Sequence, residues 1–220
     1  MNMNAVPPLV CFALPEEARP FQKSPVPNAT VLVTGMGRMN SERALAAFLA
    51  QTTPAFVLTC GFAGGLDPAL ELNTVLFETG DSALAERLGA AGVGRARFHC
   101  ASRMAVTAAE KAALRRDTGA DAVEMESAHV HRLCQERGVS CATVRVISDT
   151  ATEDMPLDFN TLTTRDLRMH FGKLALAIAK SPGAIRGLLR LQRQTAAAAE
   201  ALKGAIERVL RGAGGQGGNQ

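Results

Sequence analysis

Tryptophan and tyrosine are absent from this 220-residue chain, and nine phenylalanines supply all its aromatic rings. A surface for stacking single-stranded bases therefore lacks its usual material. A polybasic nucleic-acid binder is equally disfavoured, because 24 lysines and arginines face 21 acids for a net charge of +3. The five cysteines (Cys11, Cys60, Cys100, Cys134 and Cys141) are scattered and form no CxxC pair. That pattern argues against a zinc site or a disulfide framework and favours a reducing cytosol. His129 and His131 stand two apart in a helical pattern, a spacing that cannot place both on one face for a metal. No metal is expected. No stretch approaches the roughly 18 apolar residues of a membrane span, and "MNMNAVPP" lacks the pattern of a signal peptide. The expected location is cytoplasmic.

The composition, 47% apolar and 20% charged, is that of a globular protein, and the length suits one domain over residues 1–220. Short apolar runs read as strands at "LVCFAL" (9–14), "ATVLVTG" (29–35), "AFVLTCG" (55–61), "TVLFE" (74–78) and "CATVRVIS" (141–148). Helical patterns lie among them at Ser41–Gln51, Ala108–Asp117 and Glu126–Arg137. Buried strands alternating with helices predict an α/β fold with a parallel or mixed sheet covered on both faces. After Asp149 a loop precedes a helical C-terminal extension over 161–211. "SPG" (181–183) divides it, and the Gly-rich tail 212–220 is expected to be disordered.

Four stretches carry candidate chemistry. "VTGMGRMNSERAL" (33–45) reads as strand, glycine turn and helix, an arrangement whose backbone N–H groups suit an anion. "TCGFAGGLDP" (59–68) sets three glycines after a buried strand, where α/β sheets bind ligands. "ALPEEARPF" (13–21) puts Glu16 and Glu17 just beyond the first strand. In the last stretch, "TVRVIS" (143–148) buries Arg145 inside a strand, so Arg145 needs a carboxylate. Glu124 and Glu126, read at the start of the preceding helix, are the candidates. Charge compensation at that helix start accounts for Glu124 adequately. Period-two alternation puts Arg145, Ile147 and Asp149 on one face.

Together, "GFAGGL" (61–66), "VEMES" (123–127) and "VRVISD" (144–149) resemble the purine nucleoside phosphorylase and nucleosidase superfamily, which includes methylthioadenosine/S-adenosylhomocysteine nucleosidase. The resemblance spans most of residues 9–150. It implies a three-layer α/β/α nucleoside phosphorylase-like fold with a central mixed sheet, and cleavage of the N-glycosidic bond of an adenine nucleoside. It also implies roles. Glu126 would accept hydrogen bonds from the ribose, Met125 would pack on the sugar, and Arg145 would orient Glu126. Asp149 would protonate or hydrogen-bond N7 of the purine, with Ser148 positioning it. Glu17 matches the carboxylate that activates water in hydrolytic members. Ala63 and Gly64 would line the floor of the site. Arg103–Val106 matches the base-contacting segment, where Met104 stands in place of an aromatic ring.

The segment "SPGAIRGLLRLQRQTAAAAEAL" (181–202) further resembles hopanoid-associated phosphorylases, which implies adenosylhopane as a substrate and phosphate as a co-substrate. The phosphate-binding arginine and serine of hexameric phosphorylases are missing from 59–64; Arg19, Arg38 and Arg103 are the alternative cations. Water and phosphate both remain open as nucleophile at this point. No cofactor is expected. A homo-oligomer, most simply a dimer, is implied by relatives. The basic, amphipathic C-terminal helices suit either packing on the body or a second subunit, or peripheral contact with a membrane. A non-catalytic nucleoside-binding relative is the alternative of another class.

Overall fold

The computed structural model describes residues 6–26, 28–164, 170–181 and 183–211. The tail expected to be disordered lies outside them. Eight strands form one sheet: β1 (Leu9–Phe12), β2 (Thr30–Val33), β3 (Val57–Gly65), β4 (Val75–Glu78), β5 (Gly94–Arg95), β6 (Phe98–Cys100), β7 (Ala122–Glu124) and β8 (Cys141–Asp149). The helices are α1 (Pro15–Lys23), α2 (Gly37–Leu49), α3 (Ser82–Ala90), α4 (Ala108–Thr118), α5 (Ser127–Glu136), α6 (Phe159–Leu162), α7 (Phe171–Lys180) and α8 (Ala184–Arg211).

The main strand order is β2-β1-β3-β8-β4-β5. The β1–β2, β1–β3, β3–β8 and β4–β5 pairs are parallel, and β4 runs antiparallel to β8, so the sheet is mixed as expected. Alternation within the strands builds a core on each face. Val10, Phe12, Leu58, Cys60, Val144 and Val146 point to one side, where they join residues of α1, α3 and the C-terminal half of α8. Leu9, Cys11, Val57 and Cys141 point to the other and meet α2 and α5. Both faces are therefore covered, which is why these strands read as near-continuous apolar runs.

Three departures from the sequence reading shape the site. First, β3 does not end at its glycines but continues through Gly64 and Gly65, because β8 stays paired with it and β7 joins antiparallel at those two positions. Second, Glu124 belongs to strand β7, and the following helix begins at Ser127 with Glu126 at its N-cap. Three short strands, β5, β6 and β7, are too brief and too polar to show a period in sequence. Third, the register between β3 and β8 shifts between Ala63 and Gly64, which pair with Ile147 and Asp149 in turn. That irregularity interrupts the alternation before Asp149.

The long helix expected from about Thr161 to Lys180 is two: α6 ends at Leu162, and α7 starts afresh behind His170, whose Nδ1 accepts from the Lys173 amide. In the C-terminal half of α8, Ala198, Leu202, Ala205, Ile206 and Val209 are buried, so that half packs on the body.

Candidate active site

Arg145 lies in mid-β8 with only 1% of its surface exposed. Its main partner is Glu124, whose Oε2 is 2.5 Å from Nη2; Glu126 Oε2 is more distant at 3.4 Å. This corrects the reading that set Glu124 aside as helix-start compensation. Glu124 is buried on a strand and organises the corner after it. It accepts from the amides of Glu126 (3.0 Å) and Ser127 (2.8 Å) and from the Ser127 hydroxyl (2.6 Å). Burial pushes its carboxyl up, but Arg145 and these donors outweigh burial and hold it below the usual carboxylate range.

Glu126 is held from the other side. Its Oε1 accepts from the amide of Gly37, 2.9 Å away, at the start of α2. An amide of the glycine turn thus meets the protein's own Glu126 side chain. Burial raises the Glu126 pKa despite the nearby Arg145. Its remaining lone pairs are available to sugar hydroxyls.

Glu17 sits in the first turn of α1, where Pro15 presets the helical φ. It is 3% exposed, and its two oxygens accept from the amides of Leu14 and Phe62, each 2.8 Å away. Burial raises its pKa to about 7, with Arg145 and the two amides limiting the rise. Gly61 explains how these groups come together. A Cβ there would lie 2.5 Å from Glu17 Oε1 and 2.6 Å from Arg145 Nη1. Only a glycine leaves room for that approach. Glu17, Glu124 and Glu126 thus surround a single guanidinium, whose own pKa they raise against the opposing effect of burial.

Asp149 is in a different cluster. Its Oδ2 is 2.5 Å from the ammonium of Lys111 on α4, and its Oδ1 accepts from Ser148 Oγ at 2.8 Å. Lys111 is fully buried and also donates to the carbonyls of Thr150 (2.7 Å) and Glu153 (2.9 Å). All three ammonium hydrogens thereby have acceptors. Lys111 was missed in sequence because it occupies a charged, ordinary-looking helix, "AAEKAALRRDT". Gly64 completes this side: a Cβ there would lie 3.1 Å from Asp149 Oδ2.

The other expected residues fall around these two clusters. Ala63 is buried, and its carbonyl receives a long 3.4 Å bond from Ser148 Oγ. Met125 is half-buried at the β7–α5 corner. Met104 is brought to Asn160, whose side-chain amide bonds its N–H (3.0 Å) and C=O (3.1 Å). Asn160 is a residue the sequence reading did not single out. The three alternative phosphate-binding arginines are each beside an acid: Arg19 by Glu16 (4.0 Å), Arg38 by Glu42 (3.1 Å) and Arg103 by Glu110 (2.5 Å). A separate concavity of about 430 Å³ opens beside β4 and β5, lined by Glu78, Arg95, Arg97 and Asp121. It includes none of these buried clusters.

The arrangement offers a carboxyl raised to about 7, a second raised carboxyl with lone pairs open to hydroxyls and an aspartate fixed by a buried cation, all flanking the carboxyl-end half of β3 and β8. Comparison with known proteins agrees with the fold and motifs. Residues 76–180 match the model of the phosphorylase superfamily. A 5'-methylthioadenosine/S-adenosylhomocysteine nucleosidase of Marinomonas sp. (strain MWYL1) is 25% identical over 169 residues, covering 60% of this chain and 72% of that one. The structure of the nucleosidase of the same name from Neisseria meningitidis, in complex with methylthio-immucillin-A, superposes with a TM-score of 0.71 at 16% identity, covering 94% of this chain and 99% of that one. The futalosine hydrolase of Helicobacter pylori gives a TM-score of 0.65 at 18% identity over 91% of this chain and 97% of its own. The chain is thus similar in fold to the nucleosidases of this superfamily, and residues 76–180 match its family model.

Proposed function

We propose that this protein cleaves the N-glycosidic bond of an adenine nucleoside and uses water as the nucleophile. The observation that carries this reading is Glu17, a buried carboxyl with a pKa raised to about 7, beside Arg145 and Glu126. A base of that strength can take a proton from water near neutral pH. A cluster of three carboxylates around one arginine also repels phosphate, and the exposed arginines already stand beside acids.

In this mechanism Glu126 accepts hydrogen bonds from the ribose hydroxyls, fixed by the Gly37 amide and by Arg145, and Met125 packs against the sugar. The departing base gains negative charge as the sugar becomes cationic. Asp149, a carboxylate paired with Lys111 in the free protein, takes up a proton from solvent as the nucleoside binds and passes it to N7, which restores the carboxylate that Lys111 stabilises and Ser148 orients. The C1–N9 bond breaks, the base leaves neutral, and the water oxygen bonds to C1 while Glu17 takes the proton. Ala63 and Gly64 form the floor of the site. No cofactor enters the reaction.

For the 5′ substituent, adenosylhopane is the candidate suggested by the resemblance of 181–202, and a methylthioadenosine or S-adenosylhomocysteine type of substrate by the relatives. Adenine release from these three nucleosides, with and without phosphate, tests the reading. Release at a rate independent of phosphate supports it, and a strict phosphate requirement contradicts the choice of water. Adenine binding without turnover of any of them would instead indicate a non-catalytic binder.

A further inference from the structure

The two C-terminal helices present a surface that the nucleoside chemistry does not use. Leu176, Ile185 and Leu189 are 55%, 44% and 50% exposed, three of the few large apolar side chains left open to solvent among the described residues. Ile185 and Leu189 are one helical turn apart on α8. The stripe that packs α8 on the body (Ala198, Leu202, Ala205, Val209) lies on the opposite side of the helix. Beside the exposed pair, Arg186, Arg190 and Arg193 repeat at helical spacing, and all three are exposed. On α7, Leu176 shares a face with Lys173 and Lys180, also exposed. Lys173 donates to the Thr161 carbonyl at 3.2 Å.

The charge here is one-sided. From His170 to Arg193 the sequence holds Lys173, Lys180, Arg186, Arg190 and Arg193 and no aspartate or glutamate. These five positive charges exceed the net charge of the whole chain, +3. A second copy docking through the same face would set five cations against five. An interior packing partner would not need arginines around its apolar contacts. Arg190 stands near Glu153, and the other cations border exposed leucine and isoleucine. This matches the requirements of an anionic lipid surface: apolar side chains enter the headgroup boundary while the cations meet lipid phosphates.

We propose that the exposed face of α7 and the N-terminal half of α8 docks on an anionic membrane surface. The protein lies on the bilayer rather than crossing it; no helix among the described residues is long and apolar enough to span. The face adjoins the candidate site. Arg190 and Leu191 line a narrow crevice that also includes Asp149, Glu153, Asp154 and Met155, and Gly187 packs so closely on Pro156 that a Cβ would lie 2.7 Å away. Docking would therefore present that crevice to the lipid surface and favour nucleosides whose 5′ substituent partitions into it. This last step rests on the proposed nucleosidase reading; docking itself does not.

Co-sedimentation of the full chain with lipid vesicles tests the proposal. Binding is expected to vesicles of phosphatidylserine with phosphatidylcholine, to weaken with salt, and to be absent with phosphatidylcholine alone. The Arg186→Glu/Arg193→Glu variant should bind at least about thirtyfold more weakly, since each basic residue near the surface contributes about 1 kcal/mol. Ile185→Ser/Leu189→Ser should also lose binding, with an unchanged thermal midpoint showing that the fold is intact. Three results would overturn the proposal: no sedimentation with the anionic vesicles; binding unaffected by the apolar variant, which would mark a general polyanion site such as one for nucleic acid; or conversion of an oligomer to a monomer by that variant, which would mark a subunit interface. Failure of adenine release would leave these outcomes unaffected, so the two readings can fail separately.

Discussion

Strand β8 carries two buried charges four residues apart, and their surroundings differ in one respect that matters. Around Arg145 a single guanidinium serves Glu17, Glu124 and Glu126. Around Asp149 a single ammonium serves a single carboxylate, and two carbonyls take its other hydrogens. The first cluster has more acid than cation. Its members separate accordingly: Glu124, closest to Arg145 and richest in donors, is held low, while Glu126 and Glu17 are raised by burial. The second cluster is balanced in charge. Carboxyls of one chemical type within the first cluster are thus set apart, with Glu124 held as a structural anion and Glu126 and Glu17 raised.

Breaking the balanced cluster should have the largest effect. Asp149→Asn is expected to slow adenine release by about a hundred- to ten-thousandfold, the range for loss of a general acid. It should also lower the thermal midpoint, because Lys111 loses its counter-ion inside the protein. The double variant Asp149→Asn/Lys111→Met should recover much of that stability and none of the activity. Recovery of activity would show that Asp149 is only Lys111's structural partner.

Removing the shared cation comes next. Arg145→Met should destabilise the fold by about 3–5 kcal/mol in denaturant unfolding, the cost of leaving buried charges unpaired. A loss below about 1 kcal/mol would mean that the three carboxyls do not depend on the guanidinium. Gly61→Ala perturbs the same cluster without altering its charge. Its methyl must displace Glu17 or Arg145, so a loss of about 1–3 kcal/mol is expected, as for other overpacked sites, together with slower release of adenine.

The smallest effect concerns protons. With its pKa near 7, Glu17 must be ionised to activate water, so kcat/KM should fall as pH drops through about 7. The linked stability has the opposite trend. The folded pKa lies above the ordinary glutamate value of 4.5, so this contribution is present below about 4.5 and is lost as pH rises through about 7. Relative to Glu17→Gln, the wild-type protein should therefore lose stability over that interval. A flat difference would place the Glu17 pKa elsewhere.

Much of this was legible in the sequence. The five long apolar runs became strands, because a sheet covered on both faces needs apolar residues on both sides of each strand. Arg145 within such a run marked the site, since a buried guanidinium has to have carboxylates around it. The assignment of its partner failed because β7 is three residues long, too short to separate a strand glutamate from a helix-start glutamate. Lys111 escaped for a related reason: a lysine on an amphipathic helix looks solvated unless the tertiary neighbours are known. The alternation that put Asp149 with Arg145 was sound up to Ile147 and failed at the register shift, which depends on pairing with β3 rather than on local pattern.

The central claim is that water, activated by Glu17, attacks the sugar. It is tested most directly by running adenine release in oxygen-18-labelled water with phosphate present and identifying the sugar product. The account predicts free sugar carrying the label at C1, at a rate unchanged by phosphate. Unlabelled sugar 1-phosphate would contradict it.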